Sequence, residues 1–398
     1  MNKHGFFMPL LLTALLAGCW TDNRQTMTTM SCADIRQGEF LDLGTLGGKD
    51  SFATGVSADG SVVVGVSEIN NDGKTRHAFR WTAQDGMQDL GTLGGAESSA
   101  QDISSDGRVI VGYSATRSGK TDAFRWTVES GMQDLGSLGD GSQAKGVSAD
   151  GRVVVGTYRM VVGNYGNPHP HRGREVSRAF RWTAEEGMQD LGALGGKDVS
   201  SEAEAVSADG RVVVGRSWTG DIGIHHAFRW TAEGGMQDLG VLGDALGYPL
   251  SHAHDVSADG GVVIGVSDVR YEKSKDIYES GTVIPHAFRW TVNGGMQDLD
   301  APGDMSSVAF GLSADGCVTV GERVRPLISP VGTKYEGWRA YLWGANGGKL
   351  ELGALGSVES EAIAASADGS VIVGSSSLND YKSHAFRWIA GGRSSARN

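Results

Sequence analysis

The chain has 398 residues, 39% of them hydrophobic, with 61 Gly, only 8 Pro and a formal charge of −12. This length can bury a large core, and abundant Gly with frequent Val, Thr and Trp suits many short strands and tight turns rather than a disordered or collagen-like chain. An acidic chain without a basic block argues against nucleic acid as a partner, because phosphate neutralisation needs clustered Lys and Arg.

Residues 1–18 start with Lys3, continue through an apolar run from Phe6 to Ala17 and close on small residues. That is the pattern of an export signal, too short to span a bilayer. The following "LAGC", Leu16 to Cys19, resembles the lipobox of bacterial lipoproteins. The resemblance implies that Cys19 becomes a lipidated N-terminus and membrane anchor. Trp20, standing where inner-membrane retention would have Asp, implies the outer membrane. Residues 19–38 are polar and lack periodicity, which reads as a tether to a folded body over 39–390 and a tail over 391–398.

Three landmarks then recur in fixed order, each seven times counting drifted copies: Ser-Ala-Asp-Gly before a Val-rich run, Ala-Phe-Arg-Trp, and Asp-Leu-Gly-x-Leu-Gly. The first starts at Ser57, Ser104, Ser148, Ser207, Ser257, Ser313 and Ser366, a mean spacing of about 51 residues, the period of a repeat array or propeller. Each unit holds four strand-like segments joined by Gly-containing turns. Apolar side chains on both faces of the "VVV" runs require cover on both sides, as in propeller blades stacked between neighbours. "FLDLGTLG", from Phe40, is a fourth strand with no strands before it, and the unit ending in "HAFRWIA" lacks its fourth. The fold expected is therefore an all-β, seven-bladed β-propeller whose ring is closed by N- and C-terminal strands in one blade, which removes an open edge.

The repeat resembles the HAF repeat of bacterial extracellular proteins on its His-Ala-Phe at His77, His226, His286 and His384. The resemblance implies export and an envelope or cell-surface setting, without a defined chemistry. Asp122, Arg178 and Arg339 replace the first His, so that position reads as a solvated strand start rather than a catalytic or metal site.

Length variation is confined to the loops of one propeller face, and variable loops on a rigid scaffold are where binding usually sits. Candidate residues there are Tyr165, His169, His171, Trp218, His252, His254, Tyr271, Tyr335 and Trp338. The aromatics suit a contact surface for a protein or glycan. The pairs His169/His171 and His252/His254 read as exposed loop histidines, since no Cys or acidic partner stands at a metal-site spacing. One carboxylate per "SADG" turn falls short of a calcium site. No catalytic motif occurs, so neither an enzyme nor a cofactor is expected. The function expected is a monomeric, lipid-anchored binding or adhesion module, with a propeller enzyme acting on glycans and a periplasmic scaffold as alternatives. Cys32 and Cys317 could form a disulfide in an oxidising envelope or stay free thiols.

Overall fold

The computed structural model describes residues 38–162, 174–220, 223–243, 249–270, 283–300, 306–329, 332–356, 359–378 and 382–391, without the side chains of 325–336. Every sheet is antiparallel and four-stranded, and there are seven. Six blades follow the chain, over 51–89, 94–134, 142–190, 201–238, 251–298 and 307–353. The seventh joins three strands within 360–390 to Gly38–Asp42, which pairs with Ser383–Ala390 from Gly38 opposite Ala390 to Asp42 opposite Phe386. Strand closure across the termini is thus the observed topology.

Within a blade, strand order follows chain order, and the first strands of neighbouring blades touch around the axis. Apolar residues cluster between blades rather than within one. Val62, Val64 and Ala78 of blade one pack with Ala100, Ile110 and Phe124 of blade two, and equivalent clusters fill the other blade interfaces. Phe79, Phe124, Phe180, Phe228, Phe288 and Phe386 are completely buried. The Phe of each HAF-type segment is a wedge between blades, where its apolar area is removed from water on both sides.

Polar residues of the repeat fasten one blade to the next. Ser51 Oγ donates to Gly44 O at 2.6 Å and accepts Ala385 N–H at 2.9 Å, joining blades seven and one. Ser98, Ser142, Ser201, Ser251, Ser307 and Ser360 accept the equivalent N–H. The Arg of four Phe-Arg-Trp segments donates Nε to the turn carbonyl of the next blade, as Arg387 does to Gly60 O at 2.9 Å. Each "SADG" turn is internally bonded: Ser207 Oγ donates to Asp209 Oδ1 at 2.7 Å, and Arg211 N–H donates to the same oxygen at 3.0 Å. The Ser207 hydroxyl, with Arg211, holds the Asp209 carboxyl below its usual range despite some burial. These carboxylates serve their turns.

The seven turns also form a belt around the axis. Ala58 N–H donates to Ser105 O, Ser105 to Ala149, Ala149 to Ala208, Ala208 to Ala258, Ala258 to Ala314, Ala314 to Ala367 and Ala367 back to Ala58, at 2.9–3.1 Å.

The position that varies among His, Arg and Asp is not merely a solvated strand start. His77 Nδ1 lies 2.8 Å from Asp89 on the adjacent fourth strand, and His226, His286 and His384 meet Asp238, Asp298 and Asp42 likewise. Arg178 keeps the contact with Asp190 at 3.0 Å, and Arg339 meets Glu351 at 4.0 Å. Blade two departs, with Asp122 beside Asp134; burial first, then that like charge, pushes the Asp122 carboxyl up.

Candidate functional site

A β-bulge interrupts the pairing of every first strand, between Ala53 and Gly55 in blade one and at the matching residues of the other six. Before the bulge the strands read S-x-A-x, with Ser and Ala buried between blades and the two x residues less buried. Two cavities at opposite sides of the channel mouth are built from these x residues. Both lie toward the strand ends that carry the long loops.

The larger cavity, about 340 Å³, spans blades two to four. It is lined by Thr121, Ser142, Gln143, Lys145, Thr157, Arg159, Ser177, Glu202, Glu204 and Arg216, with the Gly141 backbone. Arg216 holds Glu202 with Nε and Nη2 at 2.8 and 2.6 Å. Its guanidinium also lies 5.4 Å from the ring centre of Trp218, which in turn packs on His225.

Beside this cavity runs a chain of buried groups. His254 Nδ1 is 2.7 Å from Ala309 O, and a carbonyl only accepts, so Nδ1 carries the proton. Burial pushes the His254 pKa down to about 3, leaving the ring neutral and its Nε2 an acceptor, 3.1 Å from His252 Nδ1. His252 therefore donates through Nδ1, and its Nε2 lies 3.3 Å from Glu204 Oε1. Burial works against the Glu204 charge, yet His252, Lys145 and His254 together hold its pKa down at about 2.

The smaller cavity, about 220 Å³, is lined by Phe52, Glu322, Trp338, Glu359, Ser360, Glu361, Ser375, Ser377 and Ser383. Ser375 Oγ donates to Glu361 at 2.6 Å. Burial, reinforced by Glu361 and Glu359, pushes the Glu322 pKa up to about 8.

Of the residues expected on this face, Trp338 lines the smaller cavity, and Trp218 packs on Arg216, a residue of the larger one. His252 and His254 are a correction: they belong to a first strand, Ser251–Val256, and face the channel instead of sitting exposed in a loop. The long connection before Ser251 ends earlier than the His-x-His pair, whose alternation is that of the strand. Tyr335 pairs through its backbone with Pro326. Tyr165, His169, His171 and Tyr271 lie outside the described residues, as do Cys19 and Cys32. Cys317 is exposed, and its pairing with Cys32 falls outside the described residues too. The cavity residues Lys145, Glu202 and Glu204 were missed. Their signal was a departure from sameness: the two x positions change from blade to blade while the surrounding repeat does not.

His286, Asp298 and Asp300 also come together, in blade five. Asp300 already has Lys349 at 3.3 Å and Arg323 at 3.6 Å, which supply the positive charge a metal would bring.

After the bulge, Asp102 and Asp255 each bridge two blades, Asp255 accepting N–H bonds from Val256 and from Leu312 of blade six at 2.7 and 2.8 Å. Burial outweighs those bonds and pushes Asp255 up to about 7 and Asp102 to about 6. An acid with a raised native pKa holds more protons folded than unfolded, so stability falls as pH rises. For Asp255 the loss runs from about pH 4 to about pH 7. The melting temperature of Asp255→Asn is expected to fall less steeply than that of the native protein across this window, by a few degrees. Parallel profiles would mean that Asp255 stays ionised throughout.

The fold defines a seven-bladed β-propeller with a polar, two-chambered channel mouth. No protein-family model and no curated protein matches the sequence. Among solved structures the chain is similar to the β-propeller domain of the Trilobed protease from Pyrococcus furiosus, at 11% identity and TM-score 0.51 over 85% of this chain and 93% of that one. That domain is described as having an open velcro topology, whereas the ring here is closed by strand pairing. A prolyl endopeptidase structure is similar at 10% identity and TM-score 0.52, over 86% of this chain and 50% of that one. TolB from Acinetobacter baumannii is similar at 13% identity and TM-score 0.42, over 74% of this chain and 64% of that one. At these identities the likeness is one of fold.

Proposed function

We propose that the protein is a lipid-anchored propeller of the bacterial cell envelope, of the HAF-repeat kind, that binds a partner through its long-loop face. The observation that carries this reading is that both cavities lie at the channel mouth on that face, with Trp338 lining the smaller and Trp218 packed on Arg216 of the larger. The blades would supply a rigid platform, and affinity would come from aromatic and polar side chains at the mouth. Cys19 would supply the anchor to the outer membrane, so Cys19→Ser should move the protein from the membrane fraction to the soluble one.

A pull-down from envelope extracts with the purified propeller tests the binding face. The double variant Trp218→Ala/Trp338→Ala is expected to lose the captured partner at least ten-fold while its melting temperature stays within a few degrees. Equal capture by both proteins would overturn the assignment of this face. Protease shaving of intact cells separates adhesion from a periplasmic scaffold, because a protected protein cannot be an adhesin.

A second reading, an enzyme acting on glycans, is favoured by Glu202 and Glu204 in one cavity, the latter held ionised beside buried histidines. Loss of glycan cleavage on Glu204→Gln, with binding kept, would establish it.

A further inference from the structure

We infer that the cavity between blades two and four is a subsite for a carboxylated saccharide, such as a uronate-containing glycan; the inference rests on the binding role proposed for this face. At about 340 Å³ the cavity stands at the lower end of the roughly 300–1,000 Å³ usual for small-ligand sites, room for a short saccharide segment.

Its lining determines the chemistry. All the side chains facing the cavity are polar, so a peptide's apolar groups would gain nothing there. Much of that polarity is uncommitted. Among the described residues, Thr121, Gln143, Thr157 and Arg159 make no side-chain hydrogen bond or ion pair, and Ser177 bonds only through its backbone. Hydroxyl and amide groups that can both donate and accept match a ligand that presents hydroxyls in several directions.

Charge narrows the class. Arg216 is matched by Glu202. Lys145 hydrogen-bonds neutral Gln101 at 3.4 Å and adds its charge to those that keep Glu204 ionised, while Arg159, at the rim, acts on Asp140 only at longer range. Three cations, Arg216, Lys145 and Arg159, thus line the cavity against two carboxylates, Glu202 and Glu204; in an otherwise acidic chain of net charge −12 this local excess favours an anionic group, and a carboxylate accepts well from both ammonium and guanidinium. Trp218, against Arg216, offers an aromatic edge near the cavity for a pyranose face.

The test is calorimetric titration of the full propeller with a short oligogalacturonate, its methyl ester and an aspartate peptide of equal charge. The oligogalacturonate is expected to bind, with the ester and the peptide each weaker by roughly ten-fold or more, one charge-assisted contact being worth that factor. Arg159→Ala and Lys145→Met should each weaken the acid by a similar factor and leave the ester unchanged, while Val128→Ala, in an exposed short turn away from both cavities, should leave both unchanged. No binding of the oligogalacturonate, or ester or peptide binding as tight as the acid, would overturn the inference. If that occurs while Trp218- and Trp338-dependent partner capture persists, the saccharide subsite falls and the platform role stands; loss of both defeats the two together.

Discussion

Removing Phe40–Leu46 is expected to abolish cooperative unfolding at native stability, whereas removing residues 391–398 should change the urea midpoint hardly at all. Phe40 stands edge-on to Phe386 at 4.9 Å, Leu43 is 6% exposed, and Leu46 packs against the core between blades seven and one. Burying three such side chains is worth on the order of 5 kcal/mol. The segment also carries the Asp42–His384 contact at 2.9 Å, Leu43 N–H to Ala385 O at 3.0 Å and Leu46 N–H to Ser67 Oγ at 2.9 Å, the last reaching into blade one. Its loss exposes the edge of Ser383–Ala390, a ready template for another chain, so aggregation should accompany the destabilisation. Tryptophan fluorescence in a urea series measures this. Equal midpoints for the two deletions would mean that the closing strand contributes nothing to stability.

The second large effect is expected from a single methyl group. In every blade the second strand carries a Gly after its Val run: Gly65, Gly112, Gly156, Gly215, Gly265, Gly321 and Gly374. A Cβ at Gly215 would stand 2.0 Å from Glu202 O, with Ala203 Cα 3.0 Å away, and the other six meet their first strands at the same 2.0 Å. Those atoms are backbone at the bulge and cannot step aside without breaking the ladder. Gly215→Ala should therefore cost about 3 kcal/mol or more, at the top of the overpacking range, and disturb the adjoining cavity through Glu202. Gly234→Ala, in an exposed turn where the new atom would be 3.1 Å from Thr231 Oγ1, should stay within about 0.5 kcal/mol. Denaturant midpoints of the two variants compare them directly, and similar values would show that the first strand yields.

Blade count, strand order and closure were legible because they follow from counting ordered landmarks, and Asp-Gly turns mark strand ends reliably. The Val-run Gly was legible as a letter but not as a requirement, since its reason is a bulge in a different strand. The His–Asp contact was readable in retrospect. The partners stand twelve residues apart in His77/Asp89, His226/Asp238 and His286/Asp298, and Arg339 with Glu351 preserves the opposition of charge. The cavities were the least legible part. Glu202, Glu204 and Lys145 acquire meaning only once S-x-A-x strands are known to ring the axis, because blades far apart in sequence then face one space. Length variation in the loops drew attention to the rim of that face, while the two cavities lie a few residues further in.

The belt of seven backbone hydrogen bonds makes repeat number a discrete choice. A gene that gained or lost one repeat by unequal recombination would not encode a slightly longer or shorter protein: all seven turns would have to re-space around a different circumference at once. A rod-like array can drift in length one unit at a time. Here ring size could change only as a whole, and the differences between blades fall in the loops and in side chains that face the channel.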